Sequence, residues 1–221
     1  LAVMTTYTVT LTQSVTDVAG NGLTAPYVWT FTTGTGSPGE TWAVETVDAA
    51  NFVGVGASIA FDSSGFVHVA YTDVTNSTLR YTTNATGSWV AESLFPATPA
   101  SDVADTSIAV DGTGSVHILF QTSTGDVVYG TNASGSWVAE PVASAVFSAD
   151  SSMVLDASGN AHVAFFDTAA LDLIYSTNAS GAWVPTTAVN GGVLGDQPGY
   201  GVDLAVDAAG FVHVAYYDAN N

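Results

Sequence analysis

Gly65–Tyr71 reads GFVHVAY, and Gly210–Tyr216 repeats it letter for letter. Two variants lie between them, GSVHILF at Gly114–Phe120 and GNAHVAF at Gly159–Phe165. All four histidines, His68, His117, His162 and His213, occupy this one slot. Tryptophan marks a second slot, at Trp42, Trp89, Trp137 and Trp183. Both marks recur at a period of about 45–50 residues, the length of a four-stranded propeller blade.

The runs around these marks are rich in β-branched and aromatic residues and carry no helical period, so they read as strands. Asp-x-x-Gly precedes each histidine strand, at Asp62–Gly65, Asp111–Gly114, Asp156–Gly159 and Asp207–Gly210. Aspartate bonds its own turn backbone and glycine supplies the positive φ, so each is a tight hairpin turn. Asn-Ala-Ser/Thr-Gly at 84–87, 132–135 and 178–181 makes a second hairpin turn ahead of each tryptophan strand. These tripeptides, like Asn76, also match the N-glycosylation pattern; turn chemistry accounts better for a motif repeated inside a hairpin.

Strands joined by tight turns are antiparallel neighbours, which fixes their order. The fold class expected is therefore all-β, a β-propeller of four-stranded antiparallel blades. Three blades are complete, at about residues 58–94, 107–142 and 152–189, and a fourth holds only its inner strands, 202–218. Residues 27–47, YVWTFTTGTGSPGETWAVETV, read as strand, turn and tryptophan strand. They complete the fourth blade in one reading, and another chain completes it in the other, since an open strand edge invites pairing.

One cation, Arg80, stands against 20 carboxylates, for a formal charge of −19. Such a field repels nucleic acid, and it disfavours anionic polysaccharides unless a divalent cation bridges. There is no cysteine, so neither disulfides nor thiolate metal sites arise. No apolar run approaches the length of a membrane span, so no membrane insertion is expected. No signal peptide is visible, and both LAVMTTYTVTL and YYDANN read as the interior of something longer.

STNASGAW, Ser176–Trp183, lies between the outer two strands of its blade. In this respect residues 35–221 resemble bacterial secreted β-propeller repeat proteins of the Asp-box, or BNR-like, type. Their Ser-x-Asp-x-Gly-x-Thr-Trp hairpin is matched at Ser176 and Trp183, with Asn178 for the aspartate and Gly181 one position late. The resemblance implies a structural box, in a superfamily of sialidases, other glycan-active enzymes and non-catalytic members. Thr6–Gly34, TYTVTLTQSVTDVAGNGLTAPYVWTFTTG, resembles the last strands of a bacterial Ig-like domain of surface proteins. Half of such a domain cannot bury a sandwich core alone. Residues 1–34 are thus either part of a cut domain or strands recruited by the propeller. Both resemblances imply a secreted or cell-surface bacterial protein.

In VHVAY, Val67, Val69 and Tyr71 face one side and His68 and Ala70 the other. The histidines read as one packing solution used four times, each ring bonded to a carbonyl or a hydroxyl. A sialidase-like hydrolase is implied to need an arginine triad, and Arg80 is alone. A polysaccharide lyase would need a cation and a base, and no spacing singles out such a pair. Arg80 stands where later blades have Val128 and Ile174. Glu45, Glu92 and Glu140 recur as Trp-x-x-Glu, with Thr186 in the fourth copy, and read as a solvated rim.

The turns are nearly invariant, and the loops at the opposite end of the blades vary. Binding residues favour variable loops over a rigid scaffold. The candidate ligand-binding residues are therefore Asp73, Asp126, Asp167, Phe52, Phe95, Phe147 and Tyr200. Carboxylates beside aromatics suit a sugar, or Ca²⁺ held by oxygen ligands, although no Asp-x-Asp-x-Asp loop is present. The function expected is a non-catalytic surface module for adhesion, assembly or glycan binding, with a glycan or another surface protein as partner. The alternatives are a fragment of a glycan-active enzyme, or a purely structural repeat that self-associates through unpaired terminal strands.

Overall fold

The computed structural model describes residues 4–12, 25–34, 44–50, 52–95, 106–144, 150–190 and 198–218. The chain divides into two compact units, residues 1–45 and 46–221. In the first, β1 (Thr6–Leu11) and β2 (Tyr27–Thr32) are antiparallel. Tyr7 and Phe31 lie opposite each other and stack at 5.5 Å, and Thr6 and Thr32 share a hydroxyl hydrogen bond of 2.7 Å. Such cross-strand pairs hold a two-stranded ribbon in register. Residues 27–32 are thus partnered by β1; residues 35–43, with Trp42, lie outside the described residues.

The second unit holds three four-stranded antiparallel sheets and a pair. The first blade is β3 (Val53–Phe61), β4 (Val67–Asp73), β5 (Thr78–Thr83) and β6 (Val90–Leu94), paired in that order. The second is β7 (Ser107–Val110), β8 (Val116–Gln121), β9 (Val127–Thr131) and β10 (Val138–Ala143). The third is β11 (Ser151–Leu155), β12 (Ala161–Asp167), β13 (Asp172–Thr177) and β14 (Thr186–Asn190). β15 (Pro198–Val206) and β16 (Val212–Asp218) form the pair. First strands neighbour first strands, β3 on β7, β7 on β11 and β11 on β15, as in a radial array.

The turns behave as their residues require. Asp62 Oδ1 accepts the amides of Ser64 and Phe66 at 2.8 and 2.9 Å, and Gly65 has φ +84°. Asn84, Asn132 and Asn178 each accept a β-strand amide, from Val67, Val116 and Ala161, at 2.8 Å. Each asparagine thereby ties the second hairpin turn to the start of the histidine strand.

The core lies between blades because strand side chains alternate. On β12, Val163 and Phe165 are buried with Met153 of β11 and with Leu119 and Tyr129 of the second blade. Ala164, between them, is buried with Val202 and Leu204 of β15. Each fully buried phenylalanine contributes roughly 1.5–3 kcal/mol, so the junctions, more than the ladders, hold the array. Hydroxyls pin the inner strands as well. Thr106 donates to the Gly56 carbonyl at 2.7 Å, the Met153 amide donates to Ser107 at 3.1 Å, and Ser152 donates to Asp203 at 3.1 Å.

Candidate functional site

The histidine slot is a relay inside each blade. His68, His117 and His162 place Nδ1 against the hydroxyls of Tyr81, Tyr129 and Tyr175 at 2.6, 2.5 and 2.6 Å. Their Nε2 atoms face the turn aspartates Asp62, Asp111 and Asp156 at 3.6, 3.4 and 3.5 Å. A carboxylate only accepts, so in His117 and His162, whose Nε2 bonds the aspartate, Nε2 carries the proton and Nδ1 accepts from tyrosine. The hydroxyl partner is of the kind expected from the sequence; the second role of the aspartate is not visible there. His213 meets Asp207 at 3.1 Å. Among the described residues no three His, Asp or Glu side chains converge to hold a metal ion.

The glutamate slot does more than face water. Trp137 and Trp183 donate their indole N–H to Glu92 and Glu140 of the preceding blade, at 3.1 and 2.7 Å. Their rings meet Tyr81 and Tyr129 edge-on, at 5.3 and 5.2 Å. Such aromatic pairs add to area burial, about 0.5–1.5 kcal/mol each. One tryptophan therefore covers the tyrosine of the preceding relay and is oriented by that blade's carboxylate.

The loop end holds the residues selected from the sequence. Asp73 is fully buried, and its two oxygens accept the Asn76 backbone and side-chain N–H groups at 3.1 and 2.8 Å, so it shapes the β4–β5 turn. Asp167 accepts the amides of Ala169 and Ala170 at 2.9 and 3.0 Å in the same place of the third blade. Asp126 ends the equivalent loop of the second blade, its amide donating to Thr122 and its carboxylate accepting from Thr124. Phe95 packs inside, stacked on Phe120 at 5.8 Å and edge-on to Trp137 at 6.1 Å. Phe52 is 64% exposed, with its amide bonded to Thr75 and its carbonyl to Val74. Tyr200 lies on β15, opposite Tyr217, and Phe147 is outside the described residues. The structure thus brings Phe52 to the loop that Asp73 shapes, while Asp126 and Asp167 stay on their own blades.

The first blade carries a polar set where the second has an aromatic one. Asp48 accepts the Tyr71 hydroxyl at 2.6 Å and the Ala50 amide at 2.9 Å, and forms an ion pair with Arg80, whose Nε lies 2.8 Å from its carboxylate. Burial pushes the Asp48 carboxyl up, but Tyr71, Ala50 and Arg80 outweigh it and hold it below the ordinary range. Burial, then the Asp48 carboxylate, pushes the Tyr71 phenol up to about 12, so it stays a donor. Tyr71, Arg80 and Asp48 stand in the places of Phe120, Val128 and Phe95 in the next repeat. A cleft of about 120 Å³ opens beside them, walled by Val47, Val53 and Val69 with Asp48 and Tyr71. Asp48 and Tyr71 escape a sequence reading because a unique pair has no repeat to expose it; alignment of Arg80 with Val128 is the one signal.

A model of the bacterial Ig-like domain matches residues 1–33. No curated protein matches the sequence. Among solved structures, the chain is similar to a mutant of the Aleuria aurantia lectin in complex with α-methyl-L-fucoside, with a TM-score of 0.55 at 14% identity. That match covers 74% of this chain and 53% of the lectin. The second unit is an array of propeller blades. A triple arginine-to-alanine mutant of AofleA from Arthrobotrys oligospora matches with a TM-score of 0.55 at 18% identity, covering 87% of this chain and 58% of the other. The SapL1 lectin in complex with α-methyl fucoside matches with a TM-score of 0.54 at 14% identity, covering 76% and 57%. The chain spans little more than half the length of these three propellers, and at such identities the likeness is one of fold.

Proposed function

We propose that this chain is a non-catalytic, glycan-binding propeller module of a secreted or cell-surface bacterial protein, acting in adhesion. The observation that carries the reading is a division of labour among its polar groups. The histidine, aspartate and glutamate slots are tied into turns and junctions, blade after blade. The loop end of the first blade instead keeps an exposed Phe52, and a cleft with an apolar wall whose polar lining is Asp48 and Tyr71. An aromatic face with a few oriented polar groups suits the mixed surface of a sugar. That several propellers of this blade type bind fucosides supports the same class of ligand here. Asp126 and Asp167 stand at the loop ends of the second and third blades, and Ca²⁺ is the ion such carboxylates would recruit. The Ig-like match at residues 1–33 supports a surface location.

A glycan array with and without Ca²⁺, followed by calorimetry with methyl α-L-fucoside as first probe, tests the reading. We expect saturable binding of a neutral sugar, weakened at least tenfold by Phe52→Ala with an unchanged melting temperature. Binding of no sugar at millimolar concentration overturns it.

A further inference from the structure

An ionised carboxylate accepts hydrogen bonds at about four lone-pair positions and donates none. Burial opposes the ionisation of Asp48, but Tyr71, Ala50 and Arg80 outweigh it and keep the group charged. Its Oδ2 takes the Tyr71 hydroxyl at 2.6 Å and faces Arg80 Nε at 2.8 Å, so that oxygen is filled. Among the described residues its Oδ1 takes the Ala50 amide alone, at 2.9 Å, and keeps one position. The Asp48 side chain is only 8% exposed, and it lines the cleft of the first blade. A buried acceptor that lacks a donor costs free energy, and a bound group that donates removes the cost. The other lining groups have no side-chain proton to give. Tyr71 spends its hydroxyl proton on Asp48, and the walls are Val47, Val53, Ala57 and Val69. The cleft therefore presents an acceptor set in an apolar surface.

We propose that the cleft takes one hydroxyl of a neutral sugar as a hydrogen-bond donor to Asp48 Oδ1, with the adjoining C–H face against Val47, Val53 and Val69. Asp48 is then the residue that sets specificity, and Tyr71 and Arg80 are positioning residues that hold it. Charge selects the same class. Arg80 already balances Asp48, so an ammonium group would be desolvated against a neutral pair. A ligand carboxylate would meet a second carboxylate and no side-chain donor. Every group in this account lies between residues 47 and 80, in the first blade and the segment that leads into it. The inference rests on the glycan reading and adds to it the direction of one hydrogen bond.

The test is calorimetry of the intact 221-residue chain with the methyl glycosides of L-fucose, D-mannose and D-galactose. The tightest binder is then compared with its monodeoxy and monodeoxyfluoro analogues, because a C–F group cannot donate. At one ring position both replacements should weaken binding at least tenfold, the fluoro analogue as much as the deoxy one. Asp48→Asn should weaken the parent sugar severalfold and leave that deoxy analogue unchanged. Ala57→Leu, at an exposed position, fills the cleft and should weaken the parent at least tenfold with an unchanged melting temperature. A fluoro analogue that binds like the parent overturns the proposal, since the cleft would then be the donor. Tighter binding of the corresponding amino sugar overturns it as well. Binding that Phe52→Ala weakens and Ala57→Leu leaves unchanged overturns this inference and spares the glycan reading. Binding of none of the three glycosides overturns this inference, and an empty array overturns the glycan reading with it.

Discussion

Trp183 donates its indole N–H to Glu140 at 2.7 Å, across the junction of the second and third blades. The same ring lies edge-on against Tyr129 at 5.2 Å, so one side chain makes a polar and an aromatic contact with the preceding unit. Glu140 lies at the rim, where a hydrogen bond to a charged group is worth less than in a core, about 0.5–1 kcal/mol. Trp183→Phe keeps the ring contact and should cost about that much. Trp183→Ala should cost about 3 kcal/mol or more. In a double-mutant cycle read by urea unfolding, Glu140→Ala should add nothing to Trp183→Phe. Full additivity would mean that the bond does not contribute.

Among the described residues, Gly130 is a glycine at which an added Cβ would collide. A Cβ there would meet two ring carbons of Phe95 at 2.6 and 2.8 Å. The other blades have Thr82 and Ser176 at this place, and there no phenylalanine lies across the strand. Gly130→Ala should therefore destabilise by about 1–3 kcal/mol, since Phe95 must leave its stack on Phe120. In the background of Phe95→Ala the same substitution should be nearly neutral. A penalty that persists in that background would place the strain in the backbone.

Acid should loosen the blades in two stages. Burial lowers the His117 imidazole below its ordinary value, with Asp111 opposing. A histidine that resists protonation when folded gives its full stabilisation above about pH 6.5 and loses it as pH falls below. Burial pushes the Asp111 carboxyl up, but the Thr113 hydroxyl, the Ser115 and Thr113 amides and His117 outweigh it and hold it at about 2. Asp156 is held at about 2 in the same way by Asn160, Ser158 and His162. These carboxylates stabilise the fold above about pH 4 and cease to do so as pH falls towards 2. Urea midpoints between pH 8 and 3 should decline gently below 6.5 and steeply below 4. His117→Gln should flatten the upper decline only, and an unchanged slope there would remove His117 from the account.

Arg80 should be replaceable, but not alone. Arg80→Val leaves Asp48 without its cation and should cost about 2–4 kcal/mol, because breaking a partly buried ion pair strands the other charge. The triple change Asp48→Phe, Tyr71→Phe and Arg80→Val copies the set of the second blade and should restore or exceed the original stability in thermal unfolding. A triple variant weaker than the single one would show that the first blade cannot house the aromatic set. The same variant removes the rim of the proposed sugar cleft, so it should unfold normally and bind no glycan.

Blade phase was legible because a repeat compares a chain with itself. The Asp-x-x-Gly and Asn-x-x-Gly turns, the strand order and the scaffold role of the histidines all follow from spacing and residue type. What spacing could not give is the partner across a junction. Trp183 and Thr186 are neighbours in the sequence, yet the tryptophan bonds Glu140 of another unit. For that reason the glutamates read as a solvated rim. Asp73 and Asp167 sit in variable loops and so read as ligand-binding groups; spacing did not show that each also accepts amides of its own turn. Phe95 is a loop aromatic in sequence and a core aromatic in space, because Gly130 clears room for it. The Asp48–Tyr71–Arg80 set was hidden for the opposite reason, as it departs from the repeat and no second copy frames it.

The tryptophan contact has a consequence for descent as well as for folding. The second and third units each hold out a ring to a tyrosine of the unit before. A gene segment encoding one period can therefore be duplicated or lost whole, and the new neighbours meet through contacts they already possess. Blade number is then free to drift between related proteins while the fit between consecutive blades stays constant.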